Sequence, residues 1–259
     1  MSIFNALITP IGESLASQEI ILHQLSSFNR LTPTFLDPGS LGVASTLQSS
    51  VTRSTIVANN LATTNSFLQT QDAALETASN VLDRIGQLKA MSEGVFGDPS
   101  GVYQAEYEVL SQQLSDLSSS TFNSVDLFAS GGGSLSVIGD INALNVYSIN
   151  QSDIEDAVTD VTSQANITDL SSDNIDDAIQ NISNLRATNG AQQSQVLASF
   201  DMLKINTETL SNAYSIIVDV SFAQTLTNYA LAGLQTSLGI LSFAKAQTSA
   251  TAVNSLLLR

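Results

Sequence analysis

The residues that could carry out acid–base or metal chemistry in this chain are few and poorly spaced for it. The chain has one histidine, His23, and no cysteine, so thiol catalysis, disulfides and cysteine-based zinc sites are excluded. Few acidic residues stand near His23, and we interpret it as a polar position in a helical bundle. Glu106 and Glu108 lie two apart on a predicted helix, so they point to different sides and cannot pair as acid and base.

Two further segments have the composition of binding loops without their spacing. Asp169, Asp173, Asp176 and Asp177 could suggest a calcium site, but the glycine that a calcium loop requires at its sixth position is absent. The glycine run at 131–133 is not followed by the lysine of a phosphate loop. We therefore predict no catalytic residue, no cofactor, no metal site and no enzymatic activity.

Charge is distributed unevenly along the chain. The 259 residues carry 24 acids and 8 bases, a net charge of −16. Residues 90–185 hold 15 of the acids and no base, whereas residues 220–259 hold no acid. This distribution excludes a nucleic-acid partner, which would require clustered bases. It predicts a solvated acidic face in the middle of the chain and a C-terminal segment that is buried.

Neither a secretory signal nor a membrane span is predicted. The longest apolar run near the start is three residues, at 6–8, too short for the core of a signal peptide. No stretch approaches the roughly 18 apolar residues of a spanning helix. We expect no membrane insertion, and we expect the protein to be cytosolic or to be exported without a cleaved signal.

Apolar spacing predicts long helices in the first half of the chain. Ile11, Leu15, Leu22, Leu25 and Phe28 follow helical spacing, and the prolines and glycines of residues 32–42 predict an extended linker. A heptad run then predicts a long helix whose seam consists of Leu61, Leu68, Leu75 and Leu82.

The chain continues with another helix and a hairpin. Asp98 can cap a helix that has Pro99 at its first position. Alternating apolar residues predict a β-hairpin near 134–150, and residues 153–177 read as an acidic surface helix or loop. One helix is predicted from 175 to 258, with a seven-residue register that includes Leu203, Leu210, Ile217, Leu231 and Leu238.

The last third of this helix is apolar on several faces, which is typical of a helix inside an assembly. The short N-terminal helix can cover only one side of it. We therefore predict that the two chain ends pair with each other and then with further copies of the chain. The residues predicted to pack in this way are Leu15, Leu22, Leu25, Phe28, Phe222, Leu226, Leu231, Leu234, Leu238, Leu241, Leu256 and Leu257.

Several short motifs, in order along nearly the whole chain, resemble bacterial flagellin. They include Leu-Ser-Ser at 25–27, Asp-Pro-Gly at 37–39, Leu-Gly-Val-Ala at 41–44 and Leu-Asp-Arg-Ile at 82–85. They continue with Phe-Asn-Ser-Val-Asp-Leu at 122–127, Leu-Arg-Ala at 185–187, Gly-Ala-Gln at 190–192 and the final Leu-Leu-Leu-Arg. No single string is specific, but the set and its spacing are.

The resemblance implies a mainly α fold, in which long antiparallel helices form a coiled-coil bundle with one small β-hairpin region and paired terminal helices. It implies an inner terminal coiled-coil domain of residues 1–39 plus 220–259 and an outer helical domain of residues 40–219. It also implies export through the flagellar type III apparatus and polymerisation into a helical extracellular filament for swimming. The implied partners are further copies, the hook–filament junction proteins, the filament cap and an export chaperone.

Some positions depart from the family pattern. Phe28 replaces the family's glycine, a charged cluster near Asp219 is reduced, and residues 248–251 replace an Asn/Gln/Pro segment. These departures leave open a hook–filament junction protein or a minor flagellin, and a secreted helical adhesin or binding module is the alternative from another class. Arg84, Leu88 and Glu106 resemble the patch bound by a Toll-like receptor, although ordinary helix-surface and lateral-contact roles are the preferred interpretation.

Overall fold

A computed structural model describes residues 2–95, 97–98 and 100–257, with side-chain surroundings for those between 8 and 253. In this part of the chain there are six helices and four short strands. The helices are α1 (Ser2–Ser27), α2 (Pro38–Ser92), α3 (Val102–Ser118), α4 (Ile154–Thr162), α5 (Ser172–Val218) and α6 (Phe222–Leu257). The predicted mainly α class, with long helices packed on each other, is confirmed.

The strands form two antiparallel pairs. β1 (Thr121–Phe122) pairs with β2 (Val125–Asp126), and β3 (Gly133–Ile138) pairs with β4 (Val146–Gln151). The second pair is the predicted hairpin, in register from Gly133 opposite Gln151 to Ile138 opposite Val146. The first pair was not predicted, because strands of two residues give no alternating pattern.

The described chain divides into two compact units. The terminal unit comprises Met1–Val51 and Glu208–Arg259, and the central unit comprises Thr52–Thr207. The terminal unit thus reaches about a dozen residues further into the chain at each end than the predicted inner domain of 1–39 plus 220–259. The assignment of the units to an inner and an outer layer stays a prediction.

The central unit is built around the heptad leucines of α2. Leu61, Leu68, Leu75 and Leu82 are fully buried, and side chains from α3, the β3–β4 hairpin, α4 and α5 pack around them. Helix α4 is amphipathic, with Ile154, Ala157, Val158 and Val161 buried. The acidic segment predicted at 153–177 therefore includes a helix whose inner face belongs to the core.

A buried chain of amide side chains sets the register of α2 against α5. The Asn189 amide nitrogen donates to the Leu68 carbonyl at 3.1 Å and to Gln71 Oε1 at 2.6 Å. Gln193 Nε2 donates to Asn189 Oδ1 at 2.6 Å, and Gln71 Nε2 donates to the Leu127 carbonyl at 2.7 Å. Because each amide has partners only in this alignment, a slip of one helix along the other would leave buried polar atoms unpaired.

Two arginines form salt bridges between helices on the surface of the central unit. Arg186 of α5 forms a fork with Asp72 of α2, with Nε 3.0 Å from Oδ1, and also lies 3.4 Å from Glu76. Arg84 of α2 pairs with Glu106 of α3, at 2.6 Å between Nε and Oε1. This pair raises the pKa of Arg84 and lowers the pKa of Glu106, chiefly through the hydrogen bond between them.

Asp98 caps α3 although it lies four residues before the helix begins. Its carboxylate accepts from the backbone N–H groups of Val102 and Gln104, both at 2.9 Å, and the helix begins at Val102. The cap predicted at Asp98 is therefore present, although the helix starts later than the sequence suggested. The second half of that prediction, Pro99 as the first helical residue, lies outside the described residues.

The predicted continuous helix from 175 to 258 is wrong, because it breaks at residues 219–221 between α5 and α6. Arg30 ends α5: its backbone N–H donates to the Val218 carbonyl at 2.8 Å, and its Nε donates to the Ile217 carbonyl at 3.1 Å. Asn29 and Asp219 form an isolated antiparallel bridge at the same place. The last carbonyls of α5 are thereby satisfied by another segment instead of by a further helical turn.

The linker predicted at 32–42 is shorter than expected. Helix α2 begins at Pro38, because the Asp37 carboxylate accepts from the backbone N–H of Ser40 at 2.9 Å and caps the first turn. Hydrogen bonding from Ser40 and the charge of Arg30 lower the pKa of Asp37. Pro38 and Gly39 are therefore first-turn residues, where a proline needs no hydrogen bond from its nitrogen.

Candidate assembly surface

The terminal helices α1 and α6 pack together through small and polar side chains. Ser14 Oγ donates to the Ala232 carbonyl at 2.6 Å, Thr236 Oγ1 donates to Ser14 Oγ at 2.9 Å, and Gln18 Nε2 donates to Thr236 Oγ1 at 2.7 Å. Ser14 and Ala232 are buried. We call the residues of this contact the terminal seam; they are Ser14, Gln18, Ala232, Thr236 and Gly239.

The terminal seam brings the two backbones close together. A Cβ atom placed on Gly239 would lie 2.6 Å from Ile11 Cγ1, closer than two carbon atoms can stand. Gly239 is therefore a position of close approach, where an added side chain would force the Ile11 side chain to move. Gly233, on the same helix, has open space at its Cβ position, so close packing is specific to Gly239.

The large apolar side chains of α6 point away from the terminal seam. Leu231, Leu234, Leu238 and Leu241 are 54%, 62%, 62% and 66% exposed. Their spacing of three, four and three residues places them on one face of the helix, and we call them the leucine stripe. Phe222 and Leu226 are also exposed, so α6 offers apolar surface on more than one side.

Helix α1 carries a shorter apolar row. Ile8, Leu15 and Leu22 are about half exposed and recur every seven residues, while Leu25 is half-buried. Phe28, which follows the helix, is 70% exposed and has a φ of 52°. That backbone conformation favours glycine. It is consistent with the flagellin motif that the sequence resembles, which has glycine at the position of Phe28.

The register predicted for the last helix is shifted by one residue in the structure. Leu231 and Leu238 were predicted to continue the seam of Leu203, Leu210 and Ile217. After the break at 219–221, the residues that face α1 are instead Ala232 and Gly239. The residues predicted to pack among copies are thus predominantly exposed in the single chain. The side chains of Leu256 and Leu257, also predicted to pack in this way, lie outside the described residues.

Other predicted residues have different surroundings. Leu203 is buried in the central unit, whereas Leu210 and Ile217 are half-buried. Leu88 is fully buried. Of the three residues that resemble a receptor-binding patch, only Arg84 and Glu106 are therefore partly exposed. His23 is exposed on α1. Within the described residues, no group of three or more histidine, cysteine or acidic side chains could hold a metal ion.

Helix α6 has almost no charged side chains on its apolar surface. From residue 220 to 253, the only charged side chain is Lys245. A contact over the leucine stripe would therefore remove few charges from water, which is the usual cost of burying a helix face. Among the described helices, none combines the length and the apolar character needed to cross a membrane.

The model of the bacterial flagellin C-terminal helical region matches residues 172–257, which are α5 and α6 together. The match covers about a third of the chain and shows that α5 and α6 are similar to the C-terminal region of bacterial flagellin. This match supports the resemblance seen in the motifs, and it supports a flagellin-family structural role. A comparison with curated proteins gave no match.

Sequence reasoning found the leucines of the assembly surface but missed the terminal seam. Ser14, Gln18, Thr236 and Gly239 are small or polar, so a search for apolar heptads passes over them. The signal that could have found them is the heptad spacing of small residues, because Ala232 and Gly239 are seven apart. Close helix packing favours small residues of this kind whatever their polarity.

Proposed function

We propose that the chain is the subunit of the bacterial flagellar filament and that it polymerises through its terminal helices. The observation that carries the proposal is the leucine stripe on α6, which is exposed although it has the spacing of a helix-packing seam. The flagellin-type C-terminal region supports the same conclusion.

Burial of the leucine stripe opposes the cost of association. Fully burying an exposed leucine side chain contributes about 1.5–3 kcal/mol; the four leucines of the stripe are 54–66% exposed, so burying their remaining surface contributes about 4–7 kcal/mol. Association costs about 4–15 kcal/mol in lost freedom of motion, so the stripe alone offsets part of that cost. The apolar row of α1 and the exposed Phe222 and Leu226 add further surface to bury.

The proposed polymer is helical and is built by a contact between unlike surfaces. If the leucine stripe of one copy packs on a different surface of the next, the contact does not close on itself and growth continues. The resulting filament serves as the extracellular propeller for swimming. Its proposed partners are further copies, the hook–filament junction proteins, the filament cap and an export chaperone.

A double substitution in the leucine stripe tests the proposal. Leu234→Asp with Leu238→Asp introduces two charges that would have to be buried, so we expect no filaments by electron microscopy or sedimentation. Helix content by circular dichroism should stay unchanged, since both side chains are exposed. The matched control, Leu234→Met with Leu238→Met, keeps apolar volume and should polymerise normally. Filaments of the aspartate variant at the wild-type critical concentration would contradict the proposal.

Export without a cleaved signal is tested separately. The proposal predicts that protein collected outside the cell retains its N-terminus apart from the initiator methionine. Mass spectrometry of the secreted chain measures this directly. Loss of a segment of 15–30 residues, the length of a secretory signal, would contradict it.

In a strain that lacks its own flagellin, expression of the chain should restore swimming in soft agar, and the aspartate variant should not.

A further inference from the structure

The terminal helices carry opposite charges that are not paired within the chain. Helix α1 contains Glu13 and Glu19 and no lysine or arginine, whereas Lys245 is the only charged side chain of α6. Glu19 and Lys245 are both exposed. Neither of them forms a salt bridge among the described residues. Each copy therefore offers an acidic α1 and a basic α6 to its surroundings.

The antiparallel pairing of α1 and α6 keeps these charges apart. Ile11 lies at the level of Gly239 in the terminal seam. Lys245 is six residues beyond Gly239, and Glu19 is eight residues beyond Ile11 in the opposite direction. Glu19 and Lys245 of one chain are therefore about 21 Å apart along the helix axis, too far for an ion pair.

Each of the two charged residues belongs to the exposed apolar surface of its helix. Lys245 follows Leu241 by four residues, so it continues the leucine stripe. Glu19 follows Leu15 by four residues and precedes Leu22 by three, so it lies in the apolar row of α1. Because successive residues of a helix turn by about 100°, the stripe and the row point to opposite sides of the antiparallel pair.

We propose that the leucine stripe of one copy packs on the apolar row of α1 of the next copy, and that Lys245 pairs there with Glu19 of that copy. The inference rests on the proposed function, and it names the surface that receives the stripe. A displacement of about 21 Å along the helix axis brings the two charges level. At the same offset Leu241 comes level with Leu22 of the neighbour, so apolar surface is buried beside the ion pair.

Charge complementarity favours a second copy in this orientation as the occupant. The basic α6 of one copy attracts the acidic α1 of another, whereas two α1 helices would bring acids together without a base. Because the two surfaces are unlike and lie on opposite sides, every added copy presents a free stripe or a free row, and the contact propagates. The ion pair itself contributes little affinity, but it fixes which of several apolar offsets is adopted.

Charge reversal tests the ion pair. Glu19→Lys or Lys245→Glu alone places like charges in the contact, so each should raise the critical concentration for polymerisation by about 3- to 10-fold, measured by sedimentation. The double variant restores opposite charges in exchanged positions and should polymerise within about 2-fold of wild type. Helix content should stay unchanged, since both side chains are exposed. Glu13→Lys is the matched control, because Glu13 lies on the other flank of α1, and its critical concentration should stay near that of wild type.

Carbodiimide cross-linking detects the same contact in the unmodified chain. The reagent condenses an amine with an adjacent carboxylate to form an amide, and Lys245 is the only lysine of α6. In polymerised protein we expect covalent oligomers on a denaturing gel, with Lys245 joined to Glu19 by mass spectrometry. Dilute, unpolymerised protein should give none.

The outcomes separate this contact from the proposed function. If filaments form but the joined peptides lack this pair, or the double reversal does not restore polymerisation, the contact is refuted and the proposed function stands. If the wild-type chain forms no filaments, both fail.

Discussion

The central unit and the terminal unit use the same seven-residue spacing in opposite ways. In the central unit the heptad leucines of α2, from Leu61 to Leu82, are fully buried. In the terminal unit the leucine stripe of α6 is exposed, while small and polar residues form the contact with α1. A leucine heptad therefore predicts a surface that becomes buried, whether its partner belongs to the same chain or to another.

The largest expected effect separates the two kinds of leucine. Leu75→Ala should lower the free energy of unfolding of the central unit by about 2–5 kcal/mol, because it leaves a cavity in a packed core. Leu238→Ala should leave that free energy nearly unchanged, because its side chain is 62% exposed in the single chain. Chemical denaturation of the unpolymerised protein measures both.

Polymerisation should respond to Leu238→Ala although stability does not. We expect its critical concentration to rise, since less apolar surface is buried in the filament. If Leu75→Ala and Leu238→Ala destabilised the single chain equally, the distinction between the two heptads would be lost.

A pair of glycine substitutions tests the close packing of the terminal helices. Gly239→Ala should destabilise the pairing of α1 and α6, because its Cβ would lie 2.6 Å from Ile11 Cγ1 and overpacking costs about 1–3 kcal/mol. Gly233→Ala, where the Cβ has open space, should instead stabilise α6 by about 0.8–1 kcal/mol through helix propensity. Hydrogen exchange of the α1 and α6 amides measures both variants. Equal protection in the two would show that the seam is looser than described.

The central unit should be less tolerant of change at its buried amides than at its surface. Asn189→Ala removes the donor to Gln71 Oε1 and the acceptor for Gln193, and leaving such groups unpaired costs about 1–3 kcal/mol. Gln180→Ala removes only an exposed hydrogen bond to Asn184 and should change stability by less than about 0.5 kcal/mol. Thermal unfolding compares them, and equal stabilities would show that the amides do not hold the register.

The smallest expected effect is a dependence on pH. The hydrogen bond from Arg84 lowers the pKa of Glu106 below its ordinary value of 4.5. Its contribution to stability is therefore fully present above that value and is lost as the pH falls through the lowered pKa of the folded state. The difference in unfolding free energy between wild type and Arg84→Met should shrink on acidification below about 4.5. The control is Arg53→Met, since Arg53 forms no ion pair among the described residues.

The sequence was sufficient to predict the long helix α2 and its buried seam. The leucines of α2 stand seven apart without interruption, and such a period produces a buried seam wherever a partner helix is present. The β3–β4 hairpin was equally accessible, because its apolar residues alternate on either side of a turn. These features depend on residues close together in the chain, and local spacing describes them well.

The break between α5 and α6 could not be predicted in this way. It depends on Arg30, which lies 187 residues from Ile217 in sequence, and residues 219–221 contain neither glycine nor proline. The terminal seam was not predicted for a different reason, since its residues are small or polar and the search was for large apolar residues. The leucines of the candidate assembly surface were therefore predicted from the sequence, but the face of α6 that contacts α1 was seen only in the structure.

The interruption at residues 219–221 has a consequence for how this chain can vary through evolution. Substitutions within these three residues leave the number of residues between α5 and α6 unchanged, whereas the loss or gain of one residue would change how the start of α6 is placed after the end of α5. Such a change would disturb the alignment of Ala232 and Gly239 with α1. We expect natural relatives to differ in the identity of these residues while keeping their number fixed.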